Sequence, residues 1–352
     1  MDAHTRMAIV ETSGALSADH SEAKGGRRTS RVRNTAFFVL KLAITIGCFW
    51  YVTRNIDIKE LGPIAKSLDM AWASCALLAL ILQLPLAGLR WGAIVDALGV
   101  PGESTPRLAM IAISSVGIFF GQILPNPGGD AMRLWMLTRL GRTWARGITS
   151  ILIDRAVGGL ILLVLGFITM LFPSALTGLA GNRLLVLAMI GAIVVAGLVG
   201  FAIVPYVAPI LDRWRLTRPT AYLGRAVYRV FRGSGVGLPI LAAATAIHLL
   251  TILVVWLLAL AQGYPLPLVD ASVLFTTIAV LTLLPISVSG WGVREVAVTA
   301  LLQSYGMSQA QGLFFSVSYG IFLIVASLPG AIVYALYSPK PIEAGGGSSR
   351  AA

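Results

Sequence analysis

Two short stretches of the 352-residue chain hold residue types that could bind or move a polar group. The first contains Gln122, Pro125, Asn126, Pro127, Gly128, Gly129, Asp130 and Arg133. Its prolines remove amide donors and its glycines allow close backbone approach, so one helix should stop here and another begin. Asp130 could cap the new helix, with Arg133 one turn further along it. The same residues also read as an anion site. A helix start presents unpaired amides and positive potential, and Arg133 adds a cation capable of bidentate contact with a phosphate such as that of a lipid headgroup.

The second stretch contains Pro285, Ser287, Ser289, Gly290, Gly292, Arg294 and Glu295. Arg294 and Glu295 are adjacent, so on a helix they point about 100° apart and need not pair with each other. Glu295 could instead meet a basic residue from the other half of the chain, leaving Arg294 to face a cavity. The alternative is a purely structural network tying the two halves together.

A further ionised pair, Asp154 and Arg155, sits inside an apolar run. Charges at membrane depth are costly unless paired or hydrated, which calls for a satisfied network or a water-filled cavity. Arg155 could alternatively reach the interface along its own aliphatic stem, whereas the shorter Asp154 is the more informative member. His248 also lies in an apolar run, where it either bonds between helices or titrates near neutral pH. The sequence has no His/Cys/Asp cluster at metal spacing, no phosphate loop, no dinucleotide fingerprint and no Gly-x-Ser-x-Gly elbow, so neither a metal nor a cofactor is expected. Cys48 and Cys75 lie in apolar stretches and read as small apolar side chains.

The elements that must position these residues follow from composition. The chain is 57% hydrophobic and 12% charged, which excludes a disordered polypeptide and argues against an ordinary soluble enzyme. Six runs are long and apolar enough to cross a bilayer: 35–53, 69–89, 150–172, 183–205, 238–260 and 312–336. Two others, 107–124 and 270–286, each end in a Pro/Gly break followed by a short amphipathic segment, 130–140 and 291–303. Residues 1–34 and 339–352 read as disordered tails around a single membrane domain at 35–338.

Charge placement tests whether the two interrupted runs cross. Arg27, Arg28, Arg31 and Arg33 flank the first run, and Arg213, Arg215, Arg218, Arg225, Arg229 and Arg232 crowd the segment 206–237, so both regions belong on the cytoplasmic side. Five crossings would separate them if 107–124 spanned fully. If it enters and returns through 130–140 as a re-entrant hairpin, the number is four and the parity is restored. Arg139, Arg142 and Arg146 then also lie inside, the second hairpin enters from the opposite side, and both termini are cytoplasmic. The excess positive charge of +12 is thus placed in connections and at the N-terminus. The aromatic-interleaved arginines of 213–232 read as an interfacial helix facing anionic lipid, and no nucleic acid is expected.

Leu124-Pro125 with Gly128, Gly129, Asp130 and Arg133 is echoed 160 residues later by Leu284-Pro285 with Gly290, Gly292, Arg294 and Glu295. The expected fold is all-α: a polytopic membrane protein with about six full spans and two oppositely oriented re-entrant helical hairpins, arranged as an inverted repeat. Such repeats place discontinuous helices around a polar site near the bilayer midplane.

These motifs resemble the lysylphosphatidylglycerol synthase transmembrane, or flippase-like, family over roughly residues 35–336. Pro125 to Arg133 is similar to its first signature, with Asp130 where the family usually has Glu. Asp154-Arg155 looks like its Glu-Arg pattern with the shorter acid, and Leu284 to Glu295 is the nearest match. The resemblance implies a bacterial inner-membrane protein handling an anionic phospholipid, a glycolipid or a polyprenyl-phosphate-linked substrate, with a lipid-synthesis enzyme as a possible partner. With no large soluble domain following the last run, headgroup translocation is the expected function. Asn126, Asp130, Arg133, Asp154, Arg155, Ser287, Ser289, Arg294 and Glu295 are the expected substrate contacts, and Pro125, Pro127, Gly128, Gly129, Pro285, Gly290 and Gly292 the helix breaks. The alternatives are a membrane glycosyl- or phosphotransferase using the acidic residues, and a noncatalytic scaffold of a lipid-synthesis complex.

Overall fold

A computed structural model describes residues 58–100, 102–124, 127–172, 183–213, 217–283 and 291–336, together with isolated positions between 43 and 54. The expected first crossing at 35–53 therefore lies largely outside the described residues, as do both tails, Pro125, Asn126, Pro285, Ser287, Ser289 and Gly290.

All regular structure among the described residues is helical. A short helix, α1 (Ile58–Lys66), precedes α2 (Met70–Ala97), α3 (Arg107–Ile123), α4 (Gly128–Arg139), α5 (Trp144–Met170) and α6 (Arg183–Leu211). Then follow α7 (Arg218–Tyr228) with a π-helical turn at Arg229–Gly233, α8 (Gly237–Ala261), α9 (Leu268–Leu283), α10 (Val293–Gln303) and α11 (Gln309–Leu336). Five of these, α2, α5, α6, α8 and α11, are long and apolar enough to cross a membrane. The chain is a multi-pass helical membrane protein.

The start signals are local. Asp69 caps α2 by accepting from the amides of Ala71 at 2.8 Å and Trp72 at 3.4 Å, and Thr143 caps α5 by accepting from the Arg146 amide. The apolar run expected to end at residue 89 continues as helix to Ala97. Arg90 closes the run by hydropathy but not the helix, since arginine is a good helix former, and its charge is paired with a partner on α5.

In contrast to the long helices, α3 has 17 residues and α9 has 16. At 1.5 Å per residue each is about 25 Å long, short of a hydrocarbon core of about 30 Å. α3 and α4 pack antiparallel at very close range, with Gly129 against Gly121 and Arg133 against Gly117. A Cβ on Gly129 would lie 2.3 Å from the Gly117 carbonyl oxygen, so only glycine permits this approach. In the second half α10 runs antiparallel to α11, with Thr299 against Gly312 and Arg294 against Gly320.

The first pair seats on α2 through Trp91, Met110, Ile113, Val116, Met136 and Leu137, all buried. A larger core of Leu80, Val255, Leu258, Leu274 and Phe315 joins α2, α8, α9 and α11. Outward-facing side chains such as Leu78, Leu82, Leu152 and Ile332 are exposed, the pattern expected where acyl chains replace water as the covering medium. α7 buries Ala221, Gly224 and Val227 while Arg218, Tyr222 and Arg225 stay exposed, as an amphipathic surface helix should.

Candidate functional site

The break before α4 leaves Asp130 in the first turn, since the helix already starts at Gly128 with Pro127 at the cap position. The expected capping role for Asp130 is thus corrected: its carboxylate turns to arginines. One oxygen faces Arg133 Nη1 at 3.4 Å, and the other accepts from Arg155 Nε at 3.1 Å and Nη2 at 2.9 Å. Arg133 is buried and also donates from Nη2 to Asp154 Oδ2 at 3.1 Å. The second Asp154 oxygen accepts from Arg90 Nε at 2.9 Å. The Arg133 guanidinium lies 4.2 Å above the ring of Trp91, whose indole N–H donates to Ser150 Oγ at 3.0 Å.

This chain of contacts joins α2, α4 and α5 and resolves the question raised by Asp154: it is held in a network rather than left alone. Three guanidiniums face two carboxylates, so the cluster retains one formal positive charge. Arg155 is its most open member, with 56% of its side chain accessible. Its guanidinium nonetheless contacts Asp130 while much of the side chain stays open.

At the start of α10, Gly292 adopts φ of +86°, a left-handed conformation natural to glycine, and the helix begins at the next residue. Glu295 accepts from the Gly292 amide at 2.6 Å through one oxygen. The other accepts from Arg294 Nε at 2.9 Å, Arg294 Nη2 at 2.5 Å and the Ser316 hydroxyl at 3.2 Å. Arg294 is further stacked at 4.5 Å over Trp291, with Tyr319 at 5.8 Å.

The expectation that Glu295 would reach a base in the other half is therefore overturned. In the first turn of a helix no preceding turn blocks the two side chains from folding back, and their length closes the 100° separation. Glu295 is completely buried behind Arg294 rather than on the face of the site.

Both arginine centres open onto one recess of about 430 Å³. Gly117, Gly121 and Gln122 of α3, Asp130 and Arg133 of α4, and Arg155 of α5 form one side; Arg294 and Tyr319 face them, and Phe275, Ile278 and Leu323 supply an apolar flank. Such a lining can hold an anionic headgroup beside apolar chains. Among the described residues, no group of three or more His, Cys, Asp or Glu side chains is placed to hold a metal ion.

Of the expected contacts, Asp130, Arg133, Asp154 and Arg155 are thus gathered in one network, Arg294 shares the recess, and Asn126, Ser287 and Ser289 lie outside the described residues. Arg90, Trp91, Ser316 and Tyr319 are additional participants. Arg90 and Trp91 immediately follow the apolar run 69–89, so an ion at the edge of a run, followed by a ring able to stack an arginine, was the available signal.

The model of the family described as the lysylphosphatidylglycerol synthase TM region matches residues 38–330, most of the chain. The chain belongs to that family. The match contains every described residue of both arginine centres. A search of curated proteins gives no match. Membership in the lysylphosphatidylglycerol synthase TM region family gives the chain a lipid-related role in the membrane, in translocation or synthesis.

Two further arginines, expected at the inner face, also find acids. Arg142 pairs with Glu103, and Arg146 meets the same carboxylate at 2.6 Å while donating to the Val95 carbonyl at 2.7 Å. Asp96 accepts from the amide and hydroxyl of Thr105 at 2.9 and 2.7 Å. These bonds pin the α2–α3 connection to the turn between α4 and α5, and so hold the open end of the α3–α4 pair.

Proposed function

We propose that this protein translocates the headgroup of a phospholipid or lipid-linked sugar across the bacterial inner membrane. The observation carrying this reading is the convergence of Arg133 of α4, Arg155 of α5 and Arg294 of α10 on a single recess with an apolar flank. The short helices α3 and α9 enter and return as oppositely inserted hairpins, with the N- and C-termini on the cytoplasmic side. The phosphate sits between the guanidiniums while the acyl or prenyl chains stay among the apolar helices.

The physical task is to lower the cost of taking a charged headgroup out of water, and fixed guanidiniums do this without any covalent step. Asp130 and Asp154 keep the arginines paired when no headgroup is present. The arginines keep that pairing when phosphate arrives and bind it with their remaining donors, because a guanidinium has donors enough for both.

The test is transfer of fluorescent phospholipid and glycolipid analogues between leaflets in proteoliposomes. Wild-type protein accelerates transfer, and Arg133→Ala and Arg294→Ala each slow it at least about tenfold, the loss expected when a charge-assisted contact is removed. Unchanged transfer in both variants contradicts the reading. Formation of a new lipid product by the purified protein would favour a transferase instead.

A further inference from the structure

Behind the first network lies a second recess, of about 290 Å³, that the proposed function does not use. Arg133, Arg155 and Ile118 line both recesses and stand between them. The second is completed by Arg90 and Asp154, by Ser114 of α3, by Gly158 and Gly159 of α5, and by His248 of α8. We propose that it is a second phosphate subsite, which takes a phosphodiester headgroup bearing a hydroxyl. This rests on the headgroup-translocation reading and adds a second stop to it.

Four observations support the assignment. Ser114 and Ser115 are adjacent buried hydroxyls on the same helix, yet they behave differently. Ser115 satisfies itself by donating to the Ile111 carbonyl at 2.8 Å, the usual solution for serine in an apolar helix. Ser114, 1% exposed and lining the recess, has no hydrogen-bond partner among the described residues. Buried hydroxyls are ordinarily paired, and an acceptor in the recess would complete this one.

Charge is the second observation. Arg90, Arg133 and Arg155 border this recess, whereas of the two aspartates that hold them only Asp154 does. Three cations and one anion thus border it, a balance suited to an anionic guest, and the Arg133 Nε, also buried, is without a partner among the described residues.

His248 supplies the third. Its Nε2 lies 2.9 Å from the Gly158 carbonyl oxygen, which can only accept, so Nε2 carries the proton. With the ring neutral, Nδ1 is an acceptor. A lining that includes cations, a hydroxyl donor and an imidazole able to accept matches a phosphate that carries a hydroxyl, and matches a bare anion less well.

Space is the fourth. A Cβ on Gly159 would meet nothing within 4 Å, and one on Gly158 would only touch Arg90 Nη1 at 4.0 Å, so this stretch of α5 forms an open floor. Because Arg133 and Arg155 border both recesses, a phosphate leaving Arg294 passes from one to the other without losing guanidinium contact.

The test is native mass spectrometry of the full-length protein in a phosphate-free maltoside detergent, titrated with dihexanoyl phosphatidylglycerol, glycerol 3-phosphate and inorganic phosphate. Wild-type protein should bind two equivalents of the short-chain lipid. Ser114→Ala should weaken one of them about tenfold, the loss of one hydrogen bond to a charged group. Gly159→Leu, which projects into the open floor, should abolish that same equivalent, while Arg294→Ala should weaken the other.

Glycerol 3-phosphate binding at the Ser114-dependent site as tightly as the lipid supports the subsite and makes a soluble phosphate ester its source. A lipid advantage supports the subsite and makes the bilayer the source. A single wild-type equivalent, weakened by Arg294→Ala and unmoved by Ser114→Ala and Gly159→Leu, overturns the second subsite and leaves the translocation reading standing. Binding insensitive to all three variants overturns both.

Discussion

The two arginine centres solve the same problem by different means. Arg133 is held from three helices: Asp130 on its own helix, Asp154 on α5 and the Trp91 ring on α2, with Arg90 and Arg155 sharing the same acids. Arg294 is held almost within its own turn, by the adjacent Glu295, whose second oxygen fixes the helix start at Gly292. The first is distributed, with Arg133 shared between two acids while Arg90 and Arg155 each meet one of them. The second is built from consecutive residues and forms whenever the turn forms. The difference teaches that Arg294 is fixed by its neighbour in the chain, while Arg133, which touches both Asp130 and Asp154, is the member to which a guest would add a further partner under the proposed function.

Asp154→Ala breaks the comparison most severely. It takes the acid from Arg90 and leaves Arg133 with Asp130 alone, and loss of one partner from a buried ion pair costs about 3–5 kcal/mol. Thermal unfolding in detergent should show a large fall in Tm together with loss of headgroup transfer. A Tm within error of wild type would mean that the network does not hold α2, α4 and α5 together.

Gly129→Ala probes the backbone approach that brings Arg133 to the recess. Its Cβ would lie 2.3 Å from the Gly117 carbonyl oxygen and 2.9 Å from the Gly121 backbone. Backbone atoms cannot swing aside as a side chain can, so α3 and α4 must separate, at about 1–3 kcal/mol. Transfer should fall with Tm. The predicted contrast is that Arg294-dependent lipid binding survives, because its turn is built elsewhere.

Glu295→Gln is the milder counterpart of Asp154→Ala. The amide oxygen keeps a contact to Arg294 or to the Gly292 amide, but the charge is lost, at about 1.5–3 kcal/mol for hydrogen bonds to a charged group. The fall in Tm should be smaller than for Asp154→Ala. An equal or larger fall would reverse the ranking of the distributed and local centres.

Trp91→Phe gives the smallest effect. It keeps a ring beneath Arg133 but removes the indole bond to Ser150 and weakens the cation–π contact, together about 1–2 kcal/mol. The sharper readout is transfer, which should slow modestly while remaining dependent on Arg133.

How much of this was legible in the sequence depends on how local each cause is. The Pro/Gly breaks announced α4 and α10 within a few residues, because prolyl and glycyl backbone preferences act on the spot. Arg133, Asp154 and Arg294 were visible as ions that an apolar surrounding must compensate. Arg90 was not singled out, since it lies one position beyond the hydropathy run and its partner is 64 residues away in the chain. The pairing of Arg294 with Glu295 was missed for the opposite reason: helical angles treat side chains as spokes, whereas long side chains in a first turn bend back and meet. The convergence of the two centres on one recess depends on helix packing, which no single motif encodes.

The most direct test is an experimental map of the protein in lipid nanodiscs containing phosphatidylglycerol. The account predicts headgroup phosphate density between Arg133, Arg155 and Arg294, with Arg107–Ile123 and Leu268–Leu283 each turning back inside the bilayer. Two complete crossings that emerge on opposite faces, with Arg133 and Arg294 apart in water and every headgroup at the outer surface, would contradict it.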